Sequence, residues 1–173
     1  WIAIHTGQND EDEVRLLRAD DPTAEPILVA ARRPGHEYSV ETSGDQLFIT
    51  TNSGGAENFR IMTASIDSPH EEDWQELIAH RDDGLIDGSF VLKNWMVRQE
   101  RKNALPRIVV RHLESGEEHT VSFDEEAYSL GIRSGYEFDT DTLRFTYSSP
   151  STPSQVWDYD MSTRERALRK EQE

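Results

Sequence analysis

Short β-rich runs recur along this chain at a nearly fixed interval, and that interval limits the possible folds most sharply. Trp1-Ile-Ala-Ile-His-Thr, Gln46-Leu-Phe-Ile-Thr-Thr, Asn94-Trp-Met-Val-Arg-Gln and Thr142-Leu-Arg-Phe-Thr-Tyr resemble one another, and their starts lie 45, 48 and 48 residues apart. A second family, Val14-Arg-Leu-Leu, Phe59-Arg-Ile-Met, Ile108-Val-Val-Arg and Val156-Trp-Asp-Tyr, keeps spacings of 45, 49 and 48. A third family, beginning at Pro26, Trp74, Glu118 and Arg166, tracks both. Strand families that share one period form a repeated β unit, and several strands per unit point to propeller blades.

A blade needs a fourth, innermost strand. His36-Glu-Tyr-Ser-Val, Gly88-Ser-Phe-Val-Leu and Ala127-Tyr-Ser-Leu-Gly-Ile supply it ahead of the second, third and fourth repeats. The expected fold is therefore all-β. It is a β-propeller fragment of three four-stranded antiparallel blades plus a partial first blade, bounded near 1–33, 34–82, 83–125 and 126–173. Blades pack face to face, so their strands should be apolar on both sides. The expected core contains Ile4, Phe48, Ile49, Ile61, Trp95, Val97, Val109, Phe145 and Trp157. His70–Ile78 could form a turn or two of helix, but Trp74–Ile78 reads better as an outer strand.

Charge and residue usage narrow the function. Asp and Glu number 34 against 18 Lys and Arg, a net charge of −16. Such a surface repels phosphate backbones, so no nucleic-acid partner is expected. It attracts cationic ligands. There is no cysteine, which excludes disulfides, a thiolate nucleophile and cysteine-type zinc sites. The histidines (His5, His36, His70, His80, His112 and His119) form neither a His-x-x-x-His nor a His-Glu-x-x-His pair. No metal and no cofactor is expected. No apolar run approaches the ~20 residues of a membrane span, and the first residues do not read as a signal peptide. They read as the middle of a strand, as in a piece cut from a longer protein.

The closing repeat, Leu143-Arg-Phe-Thr-Tyr-Ser-Ser-Pro-Ser-Thr-Pro-Ser-Gln-Val-Trp-Asp-Tyr-Asp, resembles the last propeller blade of the prolyl oligopeptidase family. Asn52-Ser-Gly-Gly-Ala-Glu-Asn-Phe-Arg, Trp74-Gln-Glu-Leu-Ile-Ala-His-Arg and Trp95-Met-Val-Arg-Gln-Glu-Arg are similar to its oligopeptidase B branch. The resemblance implies a propeller that caps an α/β-hydrolase domain holding a Ser-Asp-His triad. It implies a serine oligopeptidase that cleaves small peptides after Arg or Lys. This chain would be the second half of the propeller, with the peptidase domain absent from it. No Gly-x-Ser-x-Gly nucleophile turn occurs, so no catalysis by this chain alone is expected. The implied partners are the peptidase domain of the same parent chain and small basic peptides. The implied location is the bacterial cytoplasm, with the periplasm as the alternative. A stand-alone propeller-type interaction scaffold is the competing reading. Trp157-Asp158 and Gly54-Gly55 each occur once rather than at blade spacing, which counts against it.

Four loops join the second and third strands of each repeat: 7–13, 52–58, 100–106 and 148–154. By resemblance they face the peptidase domain. The candidate substrate- or domain-facing residues are Asn9, Asp10, Glu11, Asn52, Asn58, Arg101, Thr152 and Pro153. The last loop is stiffened by proline and rich in hydroxyls, which suits a wet contact between domains. The acidic run 10–13 forms a negative rim for basic peptides. Arg101 and Lys102 weaken that field or pair with carboxylates of the peptidase domain. The cut edges of the propeller are expected to favour self-association.

Overall fold

Side chains along a strand point to alternate faces, so burial with a period of two marks a strand with one covered face. Thr142–Ser148 follows this rule: Leu143, Phe145 and Tyr147 are buried, while Thr142, Arg144 and Thr146 are exposed. The structure, a computed structural model, describes residues 1–172. These form four antiparallel meanders. The first is β1 (Ile2–Gln8), β2 (Glu11–Leu17) and β3 (Ile27–Ala30). The second is β4 (Tyr38–Ser43), β5 (Gln46–Thr51), β6 (Arg60–Ser65) and β7 (Gln75–Ile78). The third is β8 (Leu85–Val91), β9 (Trp95–Lys102), β10 (Leu105–His112) and β11 (Glu118–Thr120). The fourth is β12 (Ser129–Ile132), β13 (Thr142–Ser148), β14 (Gln155–Asp160) and β15 (Arg166–Glu171). The only helical turns among the described residues are Ser53–Gly55 and Glu71–Asp73. The expected outer strand after Trp74 is β7.

The chain divides into two units, Trp1–Asp82 and a second that begins at Asp83. In the first, Val14, Leu16, Val29, Tyr38, Leu47, Ile49 and Trp74 form one core. In the second, Phe90, Trp95, Val97, Ile108, Val110, Leu143 and Phe145 form another. β5 and β9 are buried on both faces, which explains their unbroken apolar runs.

Two of the expected core residues lie elsewhere. Ile4 is 39% exposed, beside exposed Trp1 and Ile2. The strand period explains this: Ala3 turns to the core, which sends Ile2 and Ile4 to the opposite face. On that face Ile2 is 45% exposed as well. Trp157 is half-buried against the second core, with its indole N–H donated to Gln155. The other expected core residues are buried.

In three of the four sheets the repeat extends to its irregularities, whereas in the third the register shifts between Ile86 and Gly88, at the β8–β9 pair. A bulge shifts the register between Val14 and Arg15, between Ile61 and Met62, and between Val156 and Trp157. All three fall where the third strand of a repeat meets its outer neighbour, and bulges there increase strand twist.

Two connections are tighter than the sequence suggests. β1 and β2 pair up to Gln8 opposite Glu11, leaving only Asn9 and Asp10 as a turn. β9 and β10 pair up to Lys102 opposite Leu105, leaving Asn103 and Ala104. Both central residues of the second turn have positive φ, 52° and 64°, as a two-residue type I′ hairpin requires. An alanine in that region is strained by roughly 1–2 kcal/mol, and glycine is not. Ala104→Gly should therefore stabilise the chain by about 0.5–1 kcal/mol, after glycine's larger unfolded-state entropy is counted. Calorimetry should show Tm rising by roughly 1–4 °C. No rise would mean that the turn is relaxed with alanine in place.

Candidate functional site

The hydroxyl-rich loop between β13 and β14 folds onto one carboxylate. Ser149 Oγ accepts the backbone N–H groups of Ser151 and Thr152, which sets the turn. Ser151 and Thr152 then donate their hydroxyls to Glu125 Oε1 at 3.0 and 2.8 Å. Tyr147 donates to Oε2 at 2.9 Å. Thr152 is thus spent inside the chain, whereas Pro153 stands exposed beside it. The loop's stiffness comes from this knot as well as from proline.

Glu125 stays charged far into the acid range. Hydroxyls of Ser149, Thr152, Tyr147 and Ser151 hold its carboxyl at about 2, against an ordinary value of 4.5. Burial and the adjacent Glu125 charge push the Tyr147 hydroxyl up to about 12. The depressed carboxyl fixes the sign of the pH effect. The stability it contributes is complete above the unfolded value of 4.5 and is lost as pH falls toward 2. Carboxyl-carbon NMR should place the Glu125 midpoint near 2. Ser149→Ala with Thr152→Val should return it toward 4.5. A midpoint at 4.5 in the unaltered chain would mean that the hydroxyl knot does not form.

Beside this knot lies a cavity of about 250 Å³, lined by Phe123, Asp124, Glu125, Tyr147, Trp157 and Arg166, among others. A second cavity, of about 330 Å³, lies in the first unit between the loops 33–36 and 52–57. Asn52 builds it. Its Oδ1 accepts the Glu37 N–H at 2.9 Å, and its Nδ2 donates to Gly35 O at 3.0 Å. His36 forms part of the wall and is only 2% exposed. It stacks on Tyr38 at 4.9 Å and meets Thr51 Oγ1 at 3.2 Å. Burial, and then the Arg33 charge, lower its pKa, so it is neutral near pH 7.

The remaining candidates are separate from these cavities. Asn58 Nδ2 donates to the carbonyls of Arg81 and Asp82, where the chain leaves the second sheet. Arg101 pairs with Asp87 at 3.3 Å and Lys102 with Asp83 at 2.6 Å. Asp87 lies on the neighbouring strand β8, and Asp83 in the turn that leads into it. Asn9 and Asp10 are exposed at the tip of the β1–β2 turn, and Glu11 is half-buried. Of the rest of the acidic run, Asp12 turns inward to accept the Tyr38 N–H at 3.1 Å.

Residues 1–172 match the family described as prolyl oligopeptidase, N-terminal beta-propeller domain. The chain belongs to the prolyl oligopeptidase family. Its sheets are blades of that family's propeller. Dipeptidyl aminopeptidase BI of Pseudoxanthomonas mexicana is 36% identical over 172 residues, covering 99% of this chain and 24% of that protein. Protease 2 of Moraxella lacunata is 25% identical, covering 96% and 23%. Oligopeptidase B from Trypanosoma brucei, solved in a closed form with covalently bound antipain, superposes with a TM-score of 0.93 at 26% identity, covering 99% of this chain and 26% of that one. The enzyme from Leishmania major gives 0.91, also at 26% identity, covering 99% and 25%. The chain spans about a quarter of the length of these relatives.

Within this prolyl oligopeptidase propeller, the role of Glu125 and the burial of His36 are not legible in the sequence. Glu125 lies in Asp124-Glu-Glu, which reads as a solvated linker. Its role depends on hydroxyls more than twenty residues away, so no local pattern could reveal it.

Proposed function

We propose that this propeller segment gates a serine-type peptidase domain carried on the same polypeptide. We further propose that the whole enzyme cleaves small peptides after Arg or Lys. The supporting observation is the near-complete superposition on oligopeptidase B, together with a net charge of −16 that draws basic peptides toward the domain. The test uses the parent enzyme with two fluorogenic substrates, an N-blocked Arg-Arg amide and its Ala-Ala counterpart. Selective hydrolysis of the basic one supports the reading, and equal rates overturn it.

The 36% identity to a dipeptidyl aminopeptidase favours a second reading, release of dipeptides from a free N-terminus. The same assay separates the two. A blocked substrate is cleaved under the first reading and refused under the second.

The isolated chain should also self-associate. The unpaired edge of β1 lies next to exposed Trp1, Ile2 and Ile4, an apolar strip of the kind that recruits another strand. The far edge, β15, is exposed throughout but carries Arg166, Arg169 and Lys170, which discourage pairing. Association should therefore run through the first sheet. Light scattering should show mass growing with concentration, and Ile2→Lys should suppress it. A monomer at every concentration would refute this.

A further inference from the structure

We propose that the cavity walled by Phe123, Trp157 and Glu125 is a seat for the guanidinium or ammonium group of a basic side chain. This deepens the reading of the domain as a gate for basic peptides, but its test does not depend on peptidase activity. The walls are aromatic. Phe123 and Tyr147 stack with centroids 5.1 Å apart and planes 9° from parallel. Trp157 adds a third ring to the wall. Aromatic faces attract a cation within ~6 Å of the ring centre.

The slot already accommodates one such group. The guanidinium carbon of Arg166 lies 5.8 Å from the Phe123 centroid and 5.4 Å from that of Trp157. One of its N–H groups reaches Ser122 O at 3.2 Å. Arg166 comes from exposed β15, so little burial holds it there. It marks the slot as fitting a flat cation that another arginine could replace.

The charge in the cavity wall is that of Glu125. Hydroxyls orient the Glu125 carboxylate but leave its charge uncompensated. No Lys or Arg pairs with it among the described residues. Asp124, exposed at the rim, adds a second negative charge. A fixed anion beside π faces suits a guanidinium, which pairs in its plane and stacks through its faces. A neutral side chain would leave the carboxylate without a counter-charge.

The experiment is an NMR titration of this chain with N-acetyl-arginine methylamide, followed at the Trp157 indole N–H. The citrulline analogue, equal in shape and neutral, is the control. Saturable shifts with arginine near ~1 mM, and none with citrulline, are expected. Glu125→Gln should weaken binding about fivefold. Arg166→Ala, which leaves Glu125 and its hydroxyls in place, should tighten it about threefold by removing the internal competitor. Absence of saturable shifts in both the unaltered chain and the Arg166→Ala variant overturns the proposal, as does equal binding of citrulline. The cation could belong to a peptide or to another part of the parent polypeptide. In the parent enzyme, a KM rise on Glu125→Gln that is confined to peptides with a second basic residue assigns the seat to substrate. Unchanged KM, with binding to this chain intact, assigns it to an arginine or lysine of the enzyme itself.

Discussion

Arg98→Met should lower the stability of the chain by about 3–5 kcal/mol, the usual cost of removing one partner from a buried ion pair. Arg98 is 2% exposed and Glu100 1%. Arg98 Nε donates to Glu100 at 2.7 Å, and its two terminal nitrogens grip Glu118 at 2.9 and 2.7 Å. Arg107 reaches the other Glu100 oxygen at 3.0 Å, and Arg111 reaches Glu118 at 3.1 Å. Desolvation works against both central groups. It pulls the Arg98 pKa down, but Glu118 and Glu100 more than offset it, and the net shift is upward. It pushes Glu118 up, but Arg98 and Arg111 hold that carboxyl below its ordinary value. Methionine in place of Arg98 fills similar space but takes its guanidinium away from buried Glu100, while half-exposed Arg107 stays bonded to the other oxygen. The penalty is therefore the loss of charge compensation at buried carboxylates rather than lost packing. Urea denaturation of the single variant measures it. The double variant Arg98→Met with Glu100→Leu should recover most of the loss, because apolar groups of similar volume replace buried pairs at little cost. A single-variant loss below about 1 kcal/mol would show that water reaches Glu100.

The same stretch shows why the fold was legible in the sequence and this network was not. Trp95-Met-Val announces a strand because both faces of β9 are covered, so its apolar residues run unbroken. β5 is legible for the same reason, and the shared period then places the other strands. Arg98-Gln-Glu-Arg reads as the polar end of a strand running into a loop. Buried and exposed charges are spelled with the same residues, and only the neighbouring strands decide between them. Here β10 and β11 supply Arg107, Arg111 and Glu118. Ile4 failed in the opposite direction. Its apolar character was plain, but whether a face is covered depends on what lies beside the sheet. The site residues follow the same logic. The Ser/Thr loop was visible as a rigid polar feature, yet its partner Glu125 lies on a different connection. Asn52 and Asn58, candidates for the substrate- or domain-facing loops, bind backbone groups at loop junctions, a role that depends on partners distant in the chain.

Tyr38→Phe should cost about 3 kcal/mol by removing one oxygen atom, since each buried group left unpaired costs roughly 1–3 kcal/mol. The Tyr38 hydroxyl accepts the N–H groups of Val14 at 2.7 Å and Ala30 at 3.2 Å, and it donates to Ala30 O at 2.7 Å. A phenol offers one donor and two acceptor sites, so its capacity is filled. The need arises at the β2–β3 bulge, where the register slips between Val14 and Arg15 and the ladder cannot satisfy these groups. Val14, Ala30 and Tyr38 are all buried, so water cannot substitute. Phenylalanine keeps the ring contacts with His36 at 4.9 Å and Trp74 at 5.8 Å. The loss therefore isolates the hydroxyl. Two measurements bear on it. Chemical denaturation should show the destabilisation, and hydrogen exchange should show Val14 and Ala30 losing protection beyond what the global change explains. Full protection with a loss below about 1 kcal/mol would mean that the bulge re-pairs its own backbone without the hydroxyl.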